Sequence, residues 1–228
     1  MLITVLYTVN STLQNKFSPQ SGREIRVEKT PEIITRMHER YDVNRHPRSL
    51  FSPSALNTYL DCRLKFYYRY VADLKAPDEV SAEIDSALFG TIFHRAAELV
   101  YKDLTANGKE IRKEDLDQVL RNDIKLQNYV DIAFKEEFFH VALTEKPEYN
   151  GTQLINAKVI TSYLRQLLRN DLQYAPFFME GMEKKVTEII EIETSQGKLA
   201  LNIGGTIDRI DSKDDTLRIV DYKTGGSP

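Results

Sequence analysis

The sequence predicts an α/β fold in which helices come first and an antiparallel meander comes last. Three observations carry this. Between residues 52 and 174, apolar residues recur at helical spacing. From Glu183 the period falls to 2, in "KKVTEIIEIET", "KLALNIGGTIDRID" and "TLRIVDYKT". The short turn sequences "SQG" and "SKDD" separate these stretches, so each strand folds back along the one before it.

Taken in order, the first fifty residues hold an apolar run from Leu2 to Val9, a polar loop "NSTLQNKFSPQSG" and the alternating "REIRVEK", which together suggest two short strands. Thr30 and Pro31 supply a cap and an N1 proline for a helix over "TPEIITRMHERY". A boundary is expected near Leu50, dividing an N-terminal segment, 1–50, from a main domain, 51–228. Ser52 and Pro53 repeat the cap signal and open one helix reaching Val71. Leu56, Tyr59, Leu60, Leu64, Tyr67, Tyr70 and Val71 fall close to one face, with Arg63, Lys65 and Arg69 on the other. A second helix runs from about Asp85 to Leu104 and stops at the Asn-Gly of "TANGKE". Residues 114–143 are helical in character, and another helix covers Thr152 to Tyr174, ending before Pro176. No internal repeat is present.

Composition narrows the function classes. The 31 Lys plus Arg against 34 Asp plus Glu give a net charge of -3, so any nucleic-acid contact must come from local patches. No apolar run approaches the ~20 residues of a membrane span, and "MLITVLYTV" lacks the features of a signal peptide. A cytoplasmic protein without a membrane partner is expected. The single cysteine, Cys62, rules out an intramolecular disulfide and a cysteine-only metal site within these residues. The closing "TGGSP" reads as a turn after an open sheet edge, so a fragment of a longer protein is expected.

The chemistry concentrates in "IVDYKT". On a strand Asp221 and Lys223 share a face, either as a surface ion pair or as a metal ligand with a lysine beside it. Asp208 lies 13 residues earlier, and a hairpin can set its carboxylate beside that of Asp221. Adjacent carboxylates repel unless a cation such as Mg²⁺ or Mn²⁺ lies between them. Gly204 and Gly205 interrupt the same strand, as happens at a bulge or where another backbone or a ligand comes close. In the second helix, Leu88, Phe89, Ile92, Phe93, Ala96, Ala97, Leu99 and Val100 fill one arc; His94, Glu98 and Tyr101 fall on the other. Read alone, His94 and Glu98 are either solvated surface groups or further members of the site.

Together, "SPSALNTYLDC…FYYRYV", "LFGTIFHRAAE", "GGTIDRID" and "IVDYKTG" resemble the RecB-like branch of the PD-(D/E)XK nuclease superfamily, most of all the C-terminal nuclease domain of AddB-type helicase–nuclease subunits. The resemblance spans about Ser52 to Gly225 and implies a restriction-endonuclease-like core, a mixed sheet built on the meander and flanked by helices. It implies metal ligation by His94, Asp208, Asp221 and the Tyr222 carbonyl, with Lys223 as catalytic lysine and Glu98 as a further carboxylate of the site. It also implies metal-dependent DNA cleavage, on single strands and as an exonuclease, beside an AddA-type helicase subunit or a helicase region of the same longer protein, in double-strand break repair and recombination. Read from the residues, Tyr59, Tyr67, Tyr68 and Tyr70 could stack on bases, but Tyr59, Tyr67 and Tyr70 follow the helical period and are expected to pack inward. Arg63, Lys65 and Arg69 are either a solvated face or candidate DNA contacts. Two departures stand out: the family's Q-x-x-x-Y helix is missing, and Cys62 occupies the first position of an iron–sulphur motif with Arg63 where proline is usual. Without partner cysteines, an iron–sulphur cluster is possible only in a longer chain, and Cys62 reads as a half-buried structural thiol. The rival readings are a free-standing or CRISPR-associated RecB-like exonuclease, and a DNA-binding scaffold that has lost catalysis.

Overall fold

The structure is a computed structural model that describes residues 3–5, 25–75, 83–194 and 197–224. The expected polar loop at 10–22, most of the "SQG" turn and residues 225–228 lie outside the described residues. Two compact units divide the chain, Met1–Asp78 with Val186–Gly205, and Glu79–Lys185 with Thr206–Pro228. No helix among the described residues is long and apolar enough to cross a membrane.

In the first unit, strands β1 (Ile3–Val5) and β2 (Ile25–Val27) pair antiparallel, with Ile3 opposite Val27. Helix α1 (Pro31–Tyr41) starts where the cap signal puts it: Thr30 Oγ1 accepts the Ile33 amide at 3.4 Å. Helix α2 (Pro53–Asp61) starts the same way, with Ser52 Oγ accepting the Ala55 amide at 3.2 Å.

The helix expected to continue to Val71 instead breaks at Cys62, whose extended backbone (φ -149°, ψ 106°) ends α2 and caps α3 (Arg63–Phe66). Its Sγ accepts the Lys65 amide at 3.4 Å, offering the chain a local alternative to helix. A π-helical turn, Tyr67–Val71, follows. The break changes which residues face inward. Phe66 is buried while Leu60 is left exposed. Phe66 meets Tyr59 edge-on at 5.3 Å and stacks on Tyr70 at 5.4 Å, so the expected inward packing of Tyr59 and Tyr70 is seen.

The second unit is built on α4 (Ser86–Leu104), capped by Asp85 Oδ1 accepting the Leu88 amide at 2.7 Å. After β3 (Glu110–Ile111), the stretch expected as one helix is divided into α5 (Lys113–Leu120) and α6 (Asp123–Phe134). The divider is Asn122, whose side chain caps α6 by accepting the Lys125 amide at 2.9 Å. The π-helical turn after α6 ends at His140 in the left-handed region. Helix α7 (Gly151–Tyr174) opens with a reciprocal capping box between Asn150 and Gln153.

Strands β4 (Phe177–Thr194), β5 (Gly197–Lys213) and β6 (Thr216–Val220) join β3 in a sheet of order β3-β4-β5-β6. β3 pairs antiparallel with β4, and β5 with β6, while Phe51 makes an isolated parallel bridge to Ile203. β4 begins at Phe177, before the change of period at Glu183, because Phe177 pairs with Ile111 on β3. β6 ends earlier than expected. Its ladder stops at Val220, opposite Arg209, so Asp221 and Lys223 lie beyond the strand. Gly204 does mark a close approach, and the approaching group is backbone: a Cβ there would sit 2.1 Å from the Val186 carbonyl oxygen.

The core of this unit gathers Ile92, Ala96, Val100, Leu126, Phe134 and Leu164 with Phe177 of the sheet. Tyr101, expected on the outer arc with His94, is fully buried in that core. Its hydroxyl donates to Asp171 of α7, and its ring lies 4.4 Å from the Arg209 guanidinium. A phenol is tolerated there because its polar end has a partner.

Candidate active site

Three elements of the second unit converge near the middle of α4. His94 Nδ1 lies 3.6 Å from Asp208 Oδ2 on β5 and 3.9 Å from Glu183 Oε1 on β4. Ligand atoms of these three residues all lie within 4.8 Å of one another. Just past β6, the Tyr222 amide donates to Asp208 Oδ2 at 2.6 Å, and the Tyr222 carbonyl faces His94 Nε2 at 3.0 Å.

The tautomer follows from that last contact. A carbonyl only accepts, so Nε2 carries the proton and donates it. In neutral His94 the Nδ1 lone pair then points at two carboxylates. Three electron-pair donors converging in this way repel unless a second proton or a cation comes between them. Imidazole and carboxylate together suit a divalent cation, so the residues present fit one.

Glu183 shows the same strain. Burial, and then the neighbouring Asp208 carboxylate, push its carboxyl above the usual range, against a smaller opposing pull from His94. Its backbone is held at φ 46°, in the left-handed region that a glutamate within a strand rarely occupies. Sequence reasoning missed Glu183. The available signal was Gly181, which interrupts the alternation begun by the buried Phe177 and Met179.

The other expected site residues fall into different places. Glu98 lies one turn beyond His94 on the same cleft, but its oxygens are held by Lys102 at 2.6 Å and Arg95 at 2.5 Å. Burial alone would raise its carboxyl; the hydrogen bonds from Lys102 and Arg95 outweigh burial and hold it below the ordinary value. Arg95 in turn reaches Glu136 at 2.6 Å. Asp221 is directed at Lys223, 2.8 Å away, and both side chains are exposed, so its carboxylate lies outside the cluster of three. Lys223 lines the open cleft of about 550 Å³ that also holds Gly90, Thr91, His94 and Glu183.

Arg63, Lys65 and Arg69 belong to the first unit, are exposed, and divide between two surfaces. Arg63 lies over the Tyr59 ring at 5.6 Å beside an apolar groove. Lys65 and Arg69 line a separate cleft with Arg40, Tyr68 and Lys75. Cys62 is half-buried, as expected of a structural thiol.

Behind the site lies a buried ionic network. Arg209, with no exposed side-chain surface, contacts Asp171 at 2.5 Å and Asp211 at 2.6 Å, and Arg218 reaches the same two carboxylates at 3.1 and 2.9 Å. It ties α7 to β5 and β6 directly next to Asp208 in sequence. The Tyr222 phenol is pushed up to about 12, chiefly by burial.

An open cleft with an imidazole from α4 and two carboxylates from the inner strands β4 and β5 defines a candidate metal centre on an α/β core. The family model of the PD-(D/E)XK nuclease superfamily matches residues 50–228, and the chain belongs to that superfamily. It is also 24% identical over 219 residues to an ATP-dependent helicase/deoxyribonuclease subunit of Carboxydothermus hydrogenoformans, a match covering 86% of this chain and 19% of that protein. The chain therefore spans about a fifth of that relative's length. No solved structure gives a significant match.

Proposed function

We propose that the chain hydrolyses DNA phosphodiester bonds with a divalent cation, Mg²⁺ or Mn²⁺, held by His94, Glu183 and Asp208. The observation that carries this reading is the convergence of the three donor groups within 4.8 Å. A bound cation would supply a Lewis acid for a phosphoryl oxygen and lower the pKa of an attacking water. The chain's own residues do the rest. The Tyr222 amide fixes the orientation of Asp208, and the Tyr222 carbonyl fixes the ring of His94. In the RecB-like reading, Asp221 and the Tyr222 carbonyl complete the ligand set, which would require the carbonyl to leave His94 Nε2, since that nitrogen and Nδ1 point to opposite sides of the ring. Asp221 would then exchange its contact with Lys223 for the cation, and the Lys223 ammonium would be available to offset charge developing on the phosphate. In the hydrolysis the attacking water gives up a proton as it adds to phosphorus, the bond to the leaving ester oxygen breaks, and that oxygen takes up a proton from solvent.

Residues 51–228 form the nuclease region in this reading, with 1–50 as a leading segment. Superfamily membership and the likeness to a protein named as a helicase/deoxyribonuclease support the wider setting: exonucleolytic cleavage of single-stranded DNA during double-strand break repair and recombination, with the helicase in a partner subunit or the same longer protein. Lys65 and Arg69 are the better placed DNA contacts of the first unit, since they share a basic cleft with Tyr68.

The test is cleavage of end-labelled single-stranded DNA by this chain in Mg²⁺, Mn²⁺ or EDTA. Metal-dependent cleavage that disappears with Asp208→Asn supports the reading. DNA binding without cleavage by the wild type, in either metal, would replace it with the scaffold reading.

A further inference from the structure

The cleft over the candidate cation centre continues past it. A second open cleft of about 320 Å³, lined by Asp85, Ser86, Phe89, Tyr163 and Thr224 among others, shares Ser86 and Thr224 with the first. Between them Gly90 lies beside Thr224 so closely that a Cβ would sit 3.1 Å from Thr224 Oγ1.

The second cleft has an unusual wall. Tyr163, on α7, leaves 46% of its surface exposed. Its ring is nonetheless fixed, edge-on to Phe89 at 6.0 Å and to Phe93 at 6.3 Å. Phe93 is edge-on in turn to His94 at 6.3 Å and Tyr222 at 5.7 Å. An unbroken series of rings therefore leads from the candidate cation centre to an open tyrosine, with Tyr163 two ring-to-ring steps from His94.

The chemistry of this wall excludes a phosphate. Among the described lining residues there is no cation, and the one carboxylate, Asp85, already accepts the Leu88 amide at 2.7 Å. What remains is aromatic surface with hydroxyl groups of Ser86 and Thr224 at its edge. Such a surface takes an uncharged, planar group with polar edges.

We propose that Tyr163 and Phe89 form a nucleobase subsite, in which an unpaired base next to the phosphate at the cation centre stacks on the Tyr163 ring. The inference rests on the nuclease reading and deepens it. Within a duplex both faces of a base are covered by its neighbours, so only a single strand or a frayed end presents a free face. The subsite thereby favours single-stranded substrate without reading sequence, since every base has a π-face.

The experiment uses single-stranded DNA carrying 2-aminopurine at successive positions, bound to the protein in EDTA so that no cleavage intervenes. Wild type is expected to change the 2-aminopurine fluorescence at one or two positions. Tyr163→Ala removes that change and weakens binding about tenfold, while Tyr163→Phe preserves both. Melting temperatures of the two variants, matched to wild type, separate loss of the ring from loss of the fold. In Mn²⁺, Tyr163→Ala raises KM on single strands and leaves kcat nearly unchanged. Unaltered fluorescence and affinity in Tyr163→Ala overturn the subsite, and so does equal weakening by Tyr163→Phe. If Asp208→Asn still abolishes cleavage in either case, the nuclease reading stands without it; if wild type never cleaves, that reading fails separately.

Discussion

Asp208 accepts a hydrogen bond from the backbone amide of Tyr222 at 2.6 Å. The donor comes from the segment just past β6, so the candidate centre is held in part by a chain that has already left the sheet. A side-chain change at Tyr222 would leave this bond in place, whereas a change at Asp208 acts on the centre directly.

Asp208→Asn and Glu183→Gln test the metal ligands with little change of shape. The carboxamide oxygen introduced by Asp208→Asn can still accept from the Tyr222 amide, so the fold should survive. In wild type, Mn²⁺ at a thousandfold excess over its Kd should stabilise the fold by about 4 kcal/mol, seen as a higher melting temperature. That rise should vanish with Asp208→Asn. Glu183→Gln should weaken Mn²⁺ by at least about tenfold, the smallest loss expected even for a residue that only supports a ligand. Without metal, Glu183→Gln should melt higher than wild type, because it removes one of two repelling carboxylates. A metal-induced rise that persists in both variants would remove these residues from the centre.

How legible this centre was in the sequence depends on how each residue is brought in. Asp208 and His94 sit in regular elements whose ends and periods can be read, and the structure brings them together. Glu183 was hard to read because its own left-handed backbone sets its direction within a long strand, and the interruption at Gly181 is a weak cue that does not single it out. Tyr101 was misplaced because helical period marks which residues share a face, not what covers it. Here a buried Asp171–Arg209 pair gives the phenol a polar partner inside the core. The helix breaks at Cys62 and Asn122 went unread for a different reason: each is a single capping side chain within an otherwise continuous apolar pattern.

Removing Arg209 should expose how much the centre depends on the network behind it. Arg209→Met leaves Asp171 and Asp211 buried with only Arg218 as a cation. Loss of one partner from a buried network costs about 3–5 kcal/mol, measurable by urea denaturation. Adding Asp171→Asn should recover part of that loss, since it removes one of the charges left behind. Arg209→Lys should not rescue, because one ammonium cannot replace a fork that meets Asp171 and Asp211 together. Stability unchanged in Arg209→Met would mean the network adds nothing to the fold.

The paired glycines of β5 should separate cleanly. A Cβ at Gly204 would lie 2.1 Å from the Val186 carbonyl oxygen and 2.8 Å from Thr187 Cα, both backbone atoms with nowhere to go. At Gly205 the nearest atom is Pro53 Cδ at 3.3 Å, a side-chain contact that can shift slightly. Gly204→Ala is therefore expected to cost at least about 1–3 kcal/mol, the range for forced overpacking. Gly205→Ala should stay below that range. Equal losses at the two positions in a denaturant titration would contradict the close approach of β4 to β5 at Gly204.

Glu98 offers a pH test of its own role. Its carboxyl is held below the ordinary value of 4.5, because hydrogen bonds from Lys102 and Arg95 outweigh burial. A carboxylate whose pKa is lower in the folded state than in the unfolded one adds stability above the unfolded value and loses it as pH falls through the folded value. Glu98→Gln should therefore melt below wild type at pH 7, and the gap should narrow as the pH is taken below 4.5. With its oxygens engaged by Arg95 and Lys102, Glu98 is expected to position Arg95 rather than to meet the reacting atoms. Its glutamine variant should then keep a cleavage rate, per folded molecule, close to wild type at pH 7. A loss of cleavage as deep as that of Asp208→Asn, in protein shown to be folded, would assign Glu98 to the reacting centre instead.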